Sequence, residues 1–205
     1  MPSLSPLFVT PLYRAELGAG GARLNAEIKA ECRAIAAEDR AGQSWSKGRG
    51  YRGYTSYASL NDLTWRSPVM AELAQEMGVH VADFARALQL ELGRKRLVAD
   101  SLWINILAPG GHHAAHIHPH SVISGTYYVD VPKGASAIRF EDPRLGLMMA
   151  APPRQPKARI ANRTFVDVIP KSGTLLLWES WLRHEVPENK ARRDRISLSF
   201  NYRLD

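Results

Sequence analysis

Cysteine is nearly absent from this chain of 205 residues: Cys32 stands alone. One thiol cannot form an intramolecular disulfide, which fits a reducing compartment, and it cannot build a multi-cysteine structural zinc site. Long apolar runs are absent as well. No stretch approaches the roughly 18 consecutive apolar residues that a membrane-spanning helix needs. The N-terminus, MPSLSPLFVTPLYRAEL, lacks a basic leader and an apolar core, so it does not read as a signal peptide, and the cytoplasm is the expected location. Acidic residues are outnumbered, with Asp and Glu at 20 against Lys and Arg at 27, for a net charge of +7. The excess collects at Lys47, Arg49 and Arg52, at Arg94 to Arg96, and at Lys190, Arg192, Arg193 and Arg195. These runs read first as solvated surface, with an anionic partner such as nucleic acid or an acidic small molecule as the alternative, and aromatics do not interleave with them at the stacking spacing that would favour nucleic acid. No signal of oligomeric state is present, and a homodimer is compatible with the sequence.

What is present suffices for one domain with a sizeable core, since 45% of the residues are hydrophobic and 23% charged. Residues 1–96 read as a helical N-terminal portion and 97–205 as a β-rich core, within one domain spanning 1–205. Leu24, Ile28, Cys32 and Ile35 recur at helical spacing, preceded by Gly20 and Gly21 and closed near Gly42. Residues 41–57, rich in Gly, Ser, Lys, Arg and Tyr, read as an unusually long loop. Ser67 and Pro68 open a second helix, with Leu73, Met77, Val81, Phe84 and Leu88 on one face. Gly78 marks a candidate kink there, and Gly93 the end.

After residue 97 short β-rich runs alternate with turns: LWINIL, VISGTYYVDV, SAIRF, FVDVI, TLLLW and ISLSFNYRL. Strands at this spacing predict an all-β sandwich or barrel. Residues 142–163 read as a surface excursion, a candidate lid. Six of the seven histidines fall in this half, five of them between His112 and His120. Residues i and i+2 of a strand share a face, so His116 and His118 can chelate one ion while Ile117 faces away. Pro119 ends that strand and makes His120 a spectator. His112 and His113 follow a glycine turn and are expected at the rim. A third ligand must come from elsewhere, and His184 in WLRHEV is the candidate. Arg195 follows eleven residues later on an apolar strand, sharing a face with Ser197. A guanidinium pointing into a barrel needs an anion. That anion is either an internal carboxylate, with Asp130 and Glu179 as candidates, or the carboxylate of a ligand.

At this point the sequence resembles the Fe(II)/2-oxoglutarate-dependent oxygenases. Their His-x-Asp/Glu pair, distal His and following Arg find counterparts in His116-Ile117-His118, His184 and Arg195, and Arg195-Ile196-Ser197 looks like their Arg-x-Ser pair. SVISGTYYVDVPKGASAIRFEDPR and PKSGTLLLWESWLRHEVPEN are similar to the segments around the ligands in prolyl-hydroxylase-like members. More closely, the chain looks like a family of oxygenases with an aromatic-x-Asn strand, a His-x-His-Pro segment and a final Arg-x-Ser-x-x-x-Asn strand. Trp103 to Asn105, His116 to Gly125 and Arg195 to Asn201 are the counterparts, and the resemblance is specific over residues 101–204. It implies a double-stranded β-helix, or jelly roll, flanked by helices. It also implies an enzyme that consumes O2 and 2-oxoglutarate at Fe(II), hydroxylates a small-molecule or macromolecular substrate, and releases succinate and CO2. His116, His118 and His184 would hold the metal. Arg195 and Ser197 would hold 2-oxoglutarate, with Asn105 and Ser124 as further pocket contacts.

One departure is chemical: His118 stands where a carboxylate is expected. Iron prefers two histidines and a carboxylate, whereas zinc accepts three histidines and a water. Another divalent metal is therefore an alternative, and Glu179 and Glu185 are candidate carboxylates. Two other classes remain. Gly110 and His116-x-His118 match the start of a cupin motif, but Val122 and Ile123 occupy the places of its glutamate. A non-catalytic jelly roll binding a metal or an anion would need no turnover.

Overall fold

The computed structural model describes residues 2–17 and 21–205. It is mostly β, with two antiparallel sheets and a few helices. The Gly20 half of the first helix signal lies outside the described residues.

The N-terminal part supplies β1 (Tyr13–Glu16), α1 (Gly21–Glu38), α2 (Arg40–Gly48), β2 (Gly53–Thr55), a short α3 (Leu63–Arg66) and α4 (Pro68–Ala87). The expected long loop at 41–57 is thus corrected: it holds a helix and a strand. Asp39 accounts for both. Its carboxylate caps α2 by accepting the Gly42 N–H at 2.9 Å and also accepts the hydroxyls of Tyr54 and Ser59. Burial would raise this carboxyl, yet those donors, Ser59 foremost, hold it below its ordinary value. The first helix also ends earlier than expected, at Glu38, because Asp39 starts a new one. α4 runs through Gly78 without a break and stops at Ala87, short of Gly93.

The core strands are β3 (Leu97–Leu107), β4 (His113–His116), β5 (Ile123–Asp130), β6 (Ile138–Glu141), β7 (Phe165–Val168), β8 (Thr174–Glu179), β9 (His184–Val186) and β10 (Arg195–Leu204). The larger sheet runs β1-β8-β5-β10-β3-β2 and the smaller β4-β9-β6-β7. Every strand pairing within them is antiparallel. β1 and β2, from the N-terminal part, therefore form both edges of the larger sheet.

Strand alternation sorts the side chains of the larger sheet between two cores. On one face Ile104, Tyr127, Leu175, Leu177, Leu198 and Phe200 join Leu24, Ile28, Met70, Leu73 and Met77 of the helices in one buried cluster. On the other, Tyr128, Leu176 and Trp178 pack with Ile138, Phe140 and Leu182 between the sheets. Gly125 has a specific reason to be glycine, since a Cβ there would strike the Phe200 ring and the Leu177 side chain. The stretch 142–163 is exposed and carries only two single-turn 3₁₀ segments. No helix among the described residues is long and apolar enough to cross a membrane.

Candidate metal and anion site

The space between the sheets opens into a pocket lined by Trp103, Asn105, Tyr128, Arg195 and Ser197 from the larger sheet and by His113, His116 and His184 from the smaller. His118 also lines it, and it encloses about 450 Å³ of empty space with its mouth included.

His116, His118 and His184 each offer a ring nitrogen, and these atoms all lie within 4.8 Å of one another. The expectation for His118 is corrected in one detail. β4 ends at His116, two residues before it, so strand parity does not place it. A backbone hydrogen bond does: the His118 N–H donates to the Ser180 carbonyl at 3.0 Å, in the loop that leads to His184. His184 faces His116 directly across the β4–β9 pairing. Two carbonyls fix ring orientation. His116 Nδ1 lies 2.7 Å from the Ala114 oxygen and His184 Nδ1 2.9 Å from the Leu182 oxygen. A carbonyl only accepts, so both Nδ1 atoms carry the proton and both Nε2 lone pairs are free. His118 Nε2 lies 3.3 Å from His184 Nε2. Burial, and then the neighbouring His116, push His118 down to about 4 and His184 down to about 3, so both rings are neutral near pH 7. Neutral, oriented imidazoles are the form a metal takes. No carboxylate belongs to this group among the described residues. Glu185 binds Arg139 at 3.3 Å instead.

His113 departs from the rim position expected of it. The register between β4 and β9 slips between His113 and His116, where two residues on β4, Ala114 and Ala115, lie opposite one on β9, Glu185. Such a bulge turns an odd spacing into a shared face, so His113 lines the pocket beside His116. Its Nε2 lies 2.9 Å from the Tyr51 hydroxyl. Burial and the Arg195 charge push this ring down to about 3. His112 stays exposed.

Arg195, the first residue of β10, is 2% exposed. Neither internal partner expected for it is used: no acidic side chain pairs with it among the described residues, and Asp130 instead binds Lys29 at 2.6 Å. Its guanidinium lies 4.9 Å from the centroid of the Tyr128 ring, and the Arg195 Nε and Tyr128 hydroxyl, both buried, have no hydrogen-bond partner. A buried, uncompensated cation beside an unpaired hydroxyl is costly in an empty fold, and an incoming carboxylate satisfies both. Ser197 and Asn105 line the same pocket. Asn105 is anchored by Thr55, whose hydroxyl donates to Oδ1 at 3.0 Å, and by its own donation to Ser199 at 3.1 Å. Ser124 is not among the lining residues. Its hydroxyl donates to Asn201 at 2.8 Å and is hydrogen-bonded to that of Ser180 at 2.8 Å, behind the loop that holds His118.

With the three imidazoles and the orphaned guanidinium in view, the comparisons with known proteins agree. Residues 101–201 match the family described as "Putative 2OG-Fe(II) oxygenase". That segment runs from within β3 to within β10 and contains every residue expected above to hold metal or co-substrate. The match covers about half of the chain, and over it the chain is similar to the 2-oxoglutarate-dependent non-haem iron oxygenases. No curated protein matches the sequence. Among solved structures, a Pseudomonas putida prolyl-4-hydroxylase is 19% identical, with a TM-score of 0.63 over 95% of this chain and 93% of that one. The epimerase SnoN, solved with Fe3+, alpha-ketoglutarate and nogalamycin RO, is 20% identical, with a TM-score of 0.64 over 95% of this chain and 79% of its own. HygX from Streptomyces hygroscopicus, solved with nickel and 2-oxoglutarate, is 15% identical, with a TM-score of 0.59 over 94% and 82%. At these identities the likeness establishes the fold, a jelly-roll core.

Proposed function

We propose that the chain is an Fe(II)/2-oxoglutarate-dependent oxygenase of the hydroxylating type, with His116, His118 and His184 as the metal ligands. The observation that carries this reading is Arg195: buried, without an acidic partner, and in the same pocket as the three imidazoles. Arg195 and Ser197 bind the distal carboxylate of 2-oxoglutarate, the planar guanidinium through paired hydrogen bonds and the serine through one more. The Tyr128 hydroxyl, now unpaired, is a further donor to that carboxylate. Asn105, held by Thr55 and Ser199, keeps one pocket wall polar and rigid. When bound, iron and 2-oxoglutarate activate O2, and the co-substrate leaves as succinate and CO2 while one oxygen atom goes to the substrate. The chain's own work is to present neutral nitrogen lone pairs, anchor the co-substrate and exclude bulk water with Trp103, Trp178 and Ile138.

The set of three neutral imidazoles also suits zinc with a bound water. Arg195 favours the first reading, because activating a zinc-bound water needs no buried cation, whereas anchoring a dicarboxylate co-substrate does. The buried lone cysteine suits a reducing compartment, and we place the protein in the cytoplasm on that ground. The test is direct. Purified protein given Fe(II), ascorbate and 2-oxoglutarate should release succinate even without substrate, and anaerobic addition of 2-oxoglutarate to the Fe(II) form should produce a metal-to-ligand absorption band. No succinate, together with no effect of 2-oxoglutarate on the melting temperature, overturns the proposal.

A further inference from the structure

We propose that Trp103 and Tyr57 form a two-step electron relay that carries oxidising equivalents from the three-histidine site out to solvent. The inference rests on the metal reading above. Two indoles approach the candidate ligands. Trp178 lies 4.8 Å from His184, ring centre to ring centre, but its next aromatic neighbour is Phe140 at 5.3 Å. A benzene ring gives up an electron far less readily than an indole or a phenol, and Trp178 is itself fully buried, so that branch is a dead end. Trp103 takes the other side. Its ring lies 6.1 Å from that of His118, and Tyr57 follows at 5.3 Å. Trp103 is 6% exposed and Tyr57 is 51% exposed, so the pair leads from the pocket wall to water. Beyond Tyr57 comes Trp45 at 6.4 Å, with the Arg49 guanidinium 6.0 Å from the Trp45 ring centroid. A fixed positive charge there opposes an indole radical cation, so the oxidising equivalent stops at Tyr57, which sheds its phenolic proton to solvent.

The balance is simple. The oxidant would be a metal held by the three histidines, which O2 would oxidise with 2-oxoglutarate supplying the other two electrons when no substrate is present. Trp103 gives it one electron, Tyr57 refills Trp103, and the Tyr57 proton goes to water. A second such event, followed by addition of water, leaves Tyr57 as a catechol. That residue has then gained one oxygen from water and lost two electrons to the metal and two protons to solvent. The function of such a relay is to spare His116, His118 and His184 from oxidation when turnover misfires.

The experiment maps oxidised residues by peptide mass spectrometry in two arms, each run in oxygen-18 water. In the first the protein carries Fe(II) with 2-oxoglutarate and O2 and no substrate, and succinate is measured alongside. In the second it carries Cu(II) and receives hydrogen peroxide, which generates an oxidant at a bound copper whether or not the protein is an oxygenase. The expected result is a catechol at Tyr57 whose new oxygen comes from water. Trp103→Phe should abolish that mark and shift oxidation to the histidines. Tyr57→Phe, at an exposed position that leaves the core untouched, should make oxidation accumulate on Trp103. Absence of succinate in the first arm refutes the oxygenase reading, while the second arm still reads the relay. The relay is overturned by an unmodified Tyr57 in the copper arm, by an oxygen derived from peroxide, by a Tyr57 mark that survives Trp103→Phe, or by failure of copper to bind.

Discussion

Arg195→Met should make the empty protein more stable and blind to 2-oxoglutarate. The guanidinium is buried without an acidic partner, and holding an ion in that state costs several kcal/mol. The Tyr128 face, 4.9 Å away, returns about 2 kcal/mol. Met keeps the stem and removes the charge, so the variant should gain about 1–3 kcal/mol. For a chain of this size that is a Tm rise of about 2–12 °C. With ligand the sign reverses. Truncating one partner of a buried charge pair costs about 2–5 kcal/mol, roughly a thirty- to several-thousand-fold rise in Kd. At a 2-oxoglutarate concentration of about 100 Kd the wild type gains about 2.7 kcal/mol, whereas the variant should gain less than about 1 kcal/mol. Differential scanning fluorimetry of the Mn(II)-loaded proteins, which bind without turning over, reads both numbers. An unchanged ligand-induced shift would refute the reasoning. Loss of metal in the variant would mean that Arg195 supports the metal cluster and not the co-substrate.

Three other outcomes follow from the same geometry. His118→Asp installs the carboxylate that iron prefers, so it should retain Fe(II) and succinate release while His184→Ala loses both, as metal titration and a succinate assay would read. Acid should weaken the metal-free protein. His113 and His184 are pushed down to about 3 and His118 to about 4, against about 6.5 in an unfolded chain, so the stability tied to their neutral forms is complete above pH 6.5 and drains away as pH falls towards 4 and 3. Each ring contributes up to about 1.4 kcal/mol per pH unit within that window, and urea melts at pH 7.5 and pH 5 would show it; greater stability at pH 5 would contradict the assignment. Gly53→Ala should cost about 1–3 kcal/mol in urea unfolding, because Gly53 sits at φ 128° and a Cβ would strike the Ile106 carbonyl. It should also weaken 2-oxoglutarate binding, by displacing Tyr51 from His113.

The residues proposed to hold metal and co-substrate could be named from the sequence because the argument for them depends on residue type at short spacing. His116-x-His118, the isolated His184 and the lone Arg on an apolar strand each carry their chemistry in the sequence. The core strands were legible from alternation and turn residues. His113 was not, because its place depends on a bulge that no spacing announces. Tyr51 was hidden in a stretch whose small polar composition conceals α2 and β2, held by the contacts of Asp39 and not by an apolar stripe. Ser124, which the resemblance offers as a pocket contact, does not line the pocket, and Asn201 and Ser180 engage its hydroxyl. His118 reaches the pocket by a route other than the one expected, since a hydrogen bond to Ser180, and not strand geometry, carries it there.

The recognisable segment, 101–201, is not self-sufficient. β1 and β2 close the two edges of the larger sheet, and the helices before residue 97 cover one whole apolar face of it. Cut free of them, β8 and β3 would each present a row of unpaired backbone groups, beside an uncovered surface of Leu175, Leu177, Leu198 and Phe200. Such a fragment is a template for pairing with its own copies. The N-terminal half thus covers both edges and the apolar face that would template such pairing, a task independent of any chemistry in the pocket.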